Sequence, residues 1–223
     1  MSSPSLVALL ISLKIALWAT AAILPPGIML GLLLARGEFL GKTFVETATS
    51  LPLVLPPTAV GYLLLLLLAR SGPLGERTLG LDLDLLFTWK GASLASEVMA
   101  LPLVARTSRV AFEGVDRRLE GVARTLGLGR ARTFIEITLP LARRGLLAAA
   151  VLGFSRALGE FGATIIVAGN IPGKTQTMAL AIFSEMQIGH DQMALTLVAM
   201  TVALTFTAIW TVEVLLRRRI RTP

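Results

Sequence analysis

The chain has 223 residues, 54% of them apolar and only 16% charged, with a mean hydropathy of +0.76, whereas an ordinary soluble domain is about 25% charged. Its net charge of +7, from 21 Lys and Arg against 14 Asp and Glu, accompanies a hydropathy too high for a nucleic-acid binder or a disordered basic tail. The lack of cysteine, with His190 the single histidine, excludes a disulfide framework and argues against a His/Cys metal site on one chain.

A membrane-crossing helix takes about 20 mostly apolar residues, because at about 1.5 Å per residue that length covers a hydrocarbon layer about 30 Å thick. Residues 6–35 are apolar apart from Lys14. Within them Ala19-Thr20-Ala21 resembles a signal-peptide cleavage site. No basic region precedes it, however, and the run stays apolar through Leu34, so the segment reads as a span. Gly27 and Gly31 have the spacing of a helix-packing pair. Residues 47–69 carry no charge and hold Pro52, Pro56 and Pro57, each of which removes a backbone hydrogen bond and bends the axis. These prolines read either as a packing kink or as an interruption bordering a cavity. Residues 91–105 enclose Glu97 and continue helically through Arg106 and Arg109, residues 145–169 enclose Arg156 and Glu160, and residues 193–216 carry only Glu213. Ten-residue alternating barrel strands are nowhere visible. The expectation is an all-α integral membrane protein of five transmembrane helices, with residues 1–223 forming a single transmembrane domain.

Cytoplasmic connections are enriched in Lys and Arg, and successive connections alternate sides. One side collects Arg36 and Lys42, then Arg106, Arg109, Arg117, Arg118, Arg124, Arg130, Arg132, Arg143 and Arg144, then Arg217, Arg218, Arg219 and Arg221: fifteen cations. The other side holds four, Arg70, Arg77, Lys90 and Lys174. The basic side is therefore expected in the cytoplasm, with the N-terminus outside and the C-terminus inside. A sixth span over 178–188 would invert the arginine-rich tail, which argues against it.

The longest stretch outside the spans runs from Arg106 to Arg144. It reads as a short amphipathic helix, a glycine-bearing turn and a second helical piece, with Leu119, Val122, Ala123 and Leu126 on one face. Composition alone favours a helix lying on the membrane surface with its arginines near lipid phosphates. Two phosphate-loop look-alikes, GEFLGKT from Gly37 and GNIPGKT from Gly169, are each one residue short between their glycines and lack the strand-to-helix context. No nucleotide site is expected on this chain, and no cofactor.

An ionisable group inside a span is a functional candidate by default. Arg156 and Glu160 stand four apart and so face each other on a helix. They read either as a self-neutralising structural pair or as the lining of a polar path, with Ser155, Gly159, Gly162 and Thr164 around them. A membrane enzyme has a poor catalytic inventory here. An ion-coupled secondary transporter would have only Glu97 and Glu160 as acidic relay groups within its spans.

The run from Gly127 through Ile137-Thr138-Leu139-Pro140 resembles the loop motif of permease subunits of binding-protein-dependent ABC importers. LPLVLPPTAVGY from Leu51 to Tyr62, the stretch 119–140, and RALGEFGATIIVAGNIP from Arg156 to Pro172 look like the molybdate branch of that family, and the similarity runs over about 37–180. Sulfate permeases share the loop and the GEFGA core, and tungstate permeases are alternatives. The resemblance implies a multi-pass protein of a bacterial or archaeal cytoplasmic membrane. It implies a homodimer of this chain, two cytoplasmic ATPase subunits that carry ATP and Mg, and an extracytoplasmic binding protein that delivers molybdate. The loop at about 113–140 would be the coupling helix seated on the ATPase, through Glu120, Ala123, Arg124, Gly127, Ile137, Leu139 and Pro140. With Gly127 as register, the family's Glu-Ala-Ala triplet falls on Gly121-Val122-Ala123, and Glu120 sits one position early, still within reach of an ATPase arginine. Arg156, Glu160, Thr164, Pro56 and Pro57 would border the translocation path.

Overall fold

The computed structural model describes residues 3–79 and 84–218, and every regular element among them is helical. The first apolar stretch forms α1 (Ser3–Arg36), which runs unbroken through Pro25 and Pro26. It packs along α5 (Trp89–Glu113). Gly31 explains how closely: a β-carbon there would lie 2.7 Å from Ser108 Cβ and 2.8 Å from the Ala105 carbonyl oxygen. Only glycine lets the two backbones approach this far. Lys14, the one charge inside the first stretch, places its ammonium 3.8 Å from the centre of the Trp89 ring, which offsets part of the lost hydration.

The charge-free stretch expected as one span at 47–69 is instead two helices. These are α2 (Lys42–Val54) and α3 (Pro57–Leu68), whose axes turn by 112° at Leu55 and Pro56. A residue that precedes proline is driven out of the helical region by the ring's Cδ. Leu55 precedes Pro56 and Pro56 precedes Pro57, and both are extended, with ψ of 144° and 132°. Two such residues in succession end a helix where a single proline would only kink it. The short α4 (Glu76–Leu79) follows.

The third expected span is longer than 91–105. α5 has 25 residues, begins at the N-cap Thr88 and runs past Arg106 and Arg109. Beyond it, α6 (Arg117–Thr125) and α7 (Arg130–Thr133) form the loop. A π-helical turn over Phe134–Thr138 then carries the chain without interruption into α8 (Leu139–Leu158). The second helical piece of the loop is thus the first part of the helix that forms the fourth expected span. That helix does not continue to residue 169: it stops at Gly159, and α9 (Gly162–Ala168) starts afresh after Glu160 and Phe161. α10 (Met178–Gln187) occupies the place of the rejected sixth span. At ten residues, about 15 Å long, it is half the length needed to cross. α11 (Asp191–Arg218) is the last long helix; Arg219 and Arg221 of the basic tail lie outside the described residues.

Among the described residues, three stretches are long and apolar enough to cross a membrane: Pro4–Arg36, Arg130–Leu158 and Asp191–Thr211, with the bent α2–α3 pair a fourth if taken as one span. By length and composition alone the count is thus three, or four with the bent pair, beside the five expected. α5 falls short on apolarity, since it holds Lys90, Glu97, Arg106, Arg109 and Glu113. It is also the helix against which α1, α8 and α9 all pack. None of these five charges is buried: Lys90, Arg106 and Glu113 are exposed and Glu97 and Arg109 partly so, while the buried face is made of small and apolar residues such as Ala92, Ala95, Ala100 and Val104. Directions follow from the packing. Ile15 meets Ala92 and Gly31 meets Ser108, so α1 and α5 are parallel. Gly145 lies on Ala111 and Gly153 on Val104, so α8 runs opposite to both. Ala8 packs with Leu197, and Ala16 and Ala19 with Leu204, so α11 runs with α1.

Candidate functional site

Two sets of residues singled out in the sequence are gathered by the fold, at opposite ends of α8. From Pro140 to Arg156 is 16 residues, about 24 Å at a helical rise of about 1.5 Å.

The first set is built on α6. Asp116 is its N-cap, the carboxylate accepting from the Arg118 backbone N–H at 2.9 Å. At the other end Gly127 takes φ of +92°. Its N–H donates to the Arg124 carbonyl at 3.0 Å, while the Leu128 N–H donates to the Ala123 carbonyl at 3.1 Å. This pair of bonds is a Schellman stop, and the left-handed residue between them favours glycine. Nine residues are thereby fixed as a helix at both ends. Its apolar face is not buried as expected of a helix lying on its own protein. Leu119, Val122 and Leu126 are 49%, 57% and 76% exposed. With Leu128, Ile137, Pro140 and Leu141 they line an open apolar groove of about 420 Å³ whose floor is the buried Ala123. Arg124 and Leu139 are exposed beside it.

Within the chain Glu120 faces inward, toward the end of α1 rather than toward the outward side from which the resemblance implies reach to an ATPase arginine. Its Oε1 accepts from Arg36 Nη2 and from Thr138 Oγ1, both at 2.8 Å. The carboxylate is turned into the chain because a cation waits there, at the end of α1. Arg36 and Thr138 are site residues that sequence reasoning missed. The available signal was the Arg36 charge at the very end of a helix whose one other charge is Lys14.

The second set lies where the two breaks in the helices meet. A β-carbon on Gly162 would lie 2.7 Å from Pro57 Cβ, and Val60 packs with Ala163 and Val167, so α3 starts against α9. The structure thus brings Pro57, Glu160 and Thr164 together. Arg156 Nη1 donates to Glu160 Oε2 at 2.6 Å, and the Ala163 backbone N–H donates to Glu160 Oε1 at 2.8 Å. Glu160 is therefore not a residue of the α8 face. It follows the helix end, closes back on Arg156 and satisfies one of the free N–H groups at the start of α9. Its side chain is 2% exposed against 27% for Arg156, so of the two only Arg156 reaches the surface of the chain. Thr164 is buried, and its hydroxyl oxygen has no hydrogen-bond partner. The break holds paired charge, an unused hydroxyl and extended backbone at Leu55 and Pro56, features tolerated at membrane depth where protein or a water-filled cavity surrounds them.

Residues 27–221 match the family model described as binding-protein-dependent transport system inner membrane component. The chain is 44% identical over 219 residues to the molybdenum transport system permease protein ModB of Escherichia coli K12, covering 97% of this chain and 96% of that one. It is 35% identical over 161 residues to the sulfate transport system permease protein CysT of the same organism, covering 72% and 58%. Among solved structures, the fold matches a chain of the MetNI methionine ABC transporter in an inward-facing conformation, with a TM-score of 0.72 at 17% identity, covering 98% of this chain and 99% of that one. The chain belongs to the family of inner-membrane components of binding-protein-dependent transport systems, and is a multi-pass, all-helical membrane protein.

Proposed function

We propose that the chain is the permease subunit of an ATP-driven importer of molybdate, which works as a homodimer with two cytoplasmic ATPase subunits and an extracytoplasmic molybdate-binding protein. The observation that carries the coupling role is the capped α6 with its apolar groove open to solvent. An apolar groove on a helix fixed at both ends suits a rigid docking element, and the chain supplies no nucleotide loop of its own. Molybdate is favoured over sulfate by the higher identity and fuller coverage of the molybdenum relative; tungstate is the remaining alternative.

Five crossings with the N-terminus outside and the C-terminus in the cytoplasm suit the packing directions. α1, α5 and α11 run one way, α8 runs the other, and the bent α2–α3 pair supplies the return between α1 and α5. In this reading ATP and Mg are held by the partner. Closure of the two ATPase subunits moves α6 as a rigid body, and α8 carries the displacement to the break at Glu160. Arg156 there, whose side chain is partly exposed, offers guanidinium donors to a divalent oxyanion, while Glu160 limits how tightly the anion is held.

The test is accumulation of radiolabelled molybdate in vesicles containing this chain, its ATPase and its binding protein, with sulfate and tungstate as competitors. Uptake that needs ATP and resists excess sulfate is the expected result. Uptake independent of ATP would overturn the importer reading, and equal competition by sulfate would overturn the substrate.

A further inference from the structure

The geometry points to Glu120 as an internal strut of the coupling element: with Arg36 and Thr138 it fastens α6 to both α1 and α8, so that a displacement of α6 reaches the Arg156–Glu160 break through two helices at once. This inference rests on the coupling role proposed above and assigns positioning residues to it.

A nine-residue helix is too short to hold its place by its own hydrogen bonds, since isolated helices below about 12 residues are marginal in water. Its apolar side faces outward to the groove, so little of it is packed against the chain. What fixes it is polar. One carboxylate oxygen of Glu120 takes Arg36 Nη2 and Thr138 Oγ1, each at 2.8 Å, with the Glu120 and Arg36 side chains only 14% and 19% exposed. Arg36 Nη2 also donates to the Val115 carbonyl at 3.1 Å, and Arg117 Nη2 to the Ala35 carbonyl at 3.2 Å. The end of α1 is thus tied to the segment that enters α6 as well as to α6 itself. Directly beside the tie, Ala35, Phe112, Val115 and Leu146 pack as one apolar cluster, which stiffens the attachment.

The two helices that share Glu120 meet again far from it. Ala16 and Ala19 of α1 pack on Ala157 and Leu158 of α8, the residues next to Arg156. From Arg36 to Ala19 and from Thr138 to Ala157 are 17 and 19 residues, about 26 and 28 Å along the respective helices. α1 and α8 also pack between these ends, Ala35 with Leu146 and Ile23 with Ala149, so they form one stiff pair, and Glu120 is the polar tie that fixes α6 to it. A helix tied to a stiff pair passes its displacement on; one released at Glu120 slides against the helices it should drive.

The experiment compares wild type, Glu120→Gln, Arg36→Met, Thr138→Val and the exchanged pair Arg36→Glu with Glu120→Arg, each with the ATPase and the binding protein in vesicles. Three quantities are read: co-purification of the ATPase, ATP hydrolysed, and molybdate accumulated per ATP. The expected result is unchanged co-purification, because the groove is untouched, with transport per ATP falling about tenfold in E120Q and R36M, less in T138V, and recovering in part in the exchanged pair. Wild-type transport per ATP in both E120Q and R36M would overturn the strut. So would loss of ATPase capture in E120Q with R36M unaffected, which would return Glu120 to the partner interface. Absence of ATP-driven uptake by wild type would instead overturn the functional reading on which the strut depends.

Discussion

Replacing Glu160 by Gln tests what the ion pair at the helix break is for. Gln keeps an oxygen for the Ala163 N–H but turns an NH2 group toward the Arg156 guanidinium, setting donor against donor. Breaking one half of a buried pair costs about 3–5 kcal/mol. Arg156 is 27% exposed, so solvent relieves part of its charge and the lower end, about 3 kcal/mol, applies. For a chain of this size each kcal/mol lowers the melting midpoint by about 2–4 °C. E160Q in detergent should therefore melt about 6–12 °C below wild type. Replacing both partners by neutral groups of similar shape is often harmless where replacing one is not. The double variant R156M/E160Q should thus recover most of the loss, a coupling energy of about 2 kcal/mol in a double-mutant cycle. Additive losses, or single variants within about 1 °C of wild type, would refute the reasoning. The double variant then separates the two roles of the pair: stable protein that transports at the wild-type rate makes the pair structural, whereas stable protein that transports nothing puts it on the path.

Gly31→Ala forces a β-carbon to within 2.8 Å of the α5 backbone, and overpacking of this kind costs about 1–3 kcal/mol. Gly121→Ala, in open space on α6, gains up to about 1 kcal/mol of helix propensity; thermal melts that rank the two variants equally would show that the α1–α5 approach is not tight. Gly127→Ala also meets no neighbour, but its φ of +92° strains any β-carbon by about 1–2 kcal/mol. Hydrogen exchange should rise at the C-terminal end of α6 and stay unchanged in α1. Replacing Pro56 and Pro57 together by Ala removes both restrictions on the break between α2 and α3. In this cysteine-free chain, spin labels at the exposed Phe44 and Leu66 should move apart as the 112° bend relaxes, and an unchanged distance would show that docking on α9 sets the bend without the prolines.

What the sequence made legible follows from the range over which each cause acts. α1 and α11 are set by long apolar runs whose backbone groups must pair within the segment, and both form close to their expected places. The α2–α3 break was half visible. The prolines marked it, but its angle comes from two pre-proline residues in succession and from the packing of Pro57 on Gly162, a contact between residues 105 apart in sequence. The break after Gly159 was hidden because Arg156 and Glu160, four apart, look the same whether the helix between them continues or stops. The difference is made by the Ala163 N–H, which takes one oxygen of the carboxylate. The inward contacts of Glu120 were hidden for a related reason. A helical wheel separates Leu119, Val122 and Leu126 from Glu120, yet it does not say which face meets the rest of the protein. On a helix that buries its own apolar stripe, Glu120 would face outward. On α6 the stripe is left open, and the polar side turns in because Arg36, 84 residues earlier, ends α1 beside it. The inversion is itself informative: α6 spends its inward polar bonds, from Arg36 and Thr138 to Glu120 and from Arg117 to the Ala35 carbonyl, on position, and leaves Leu119, Val122 and Leu126 exposed, which is the arrangement the proposed docking of α6 requires.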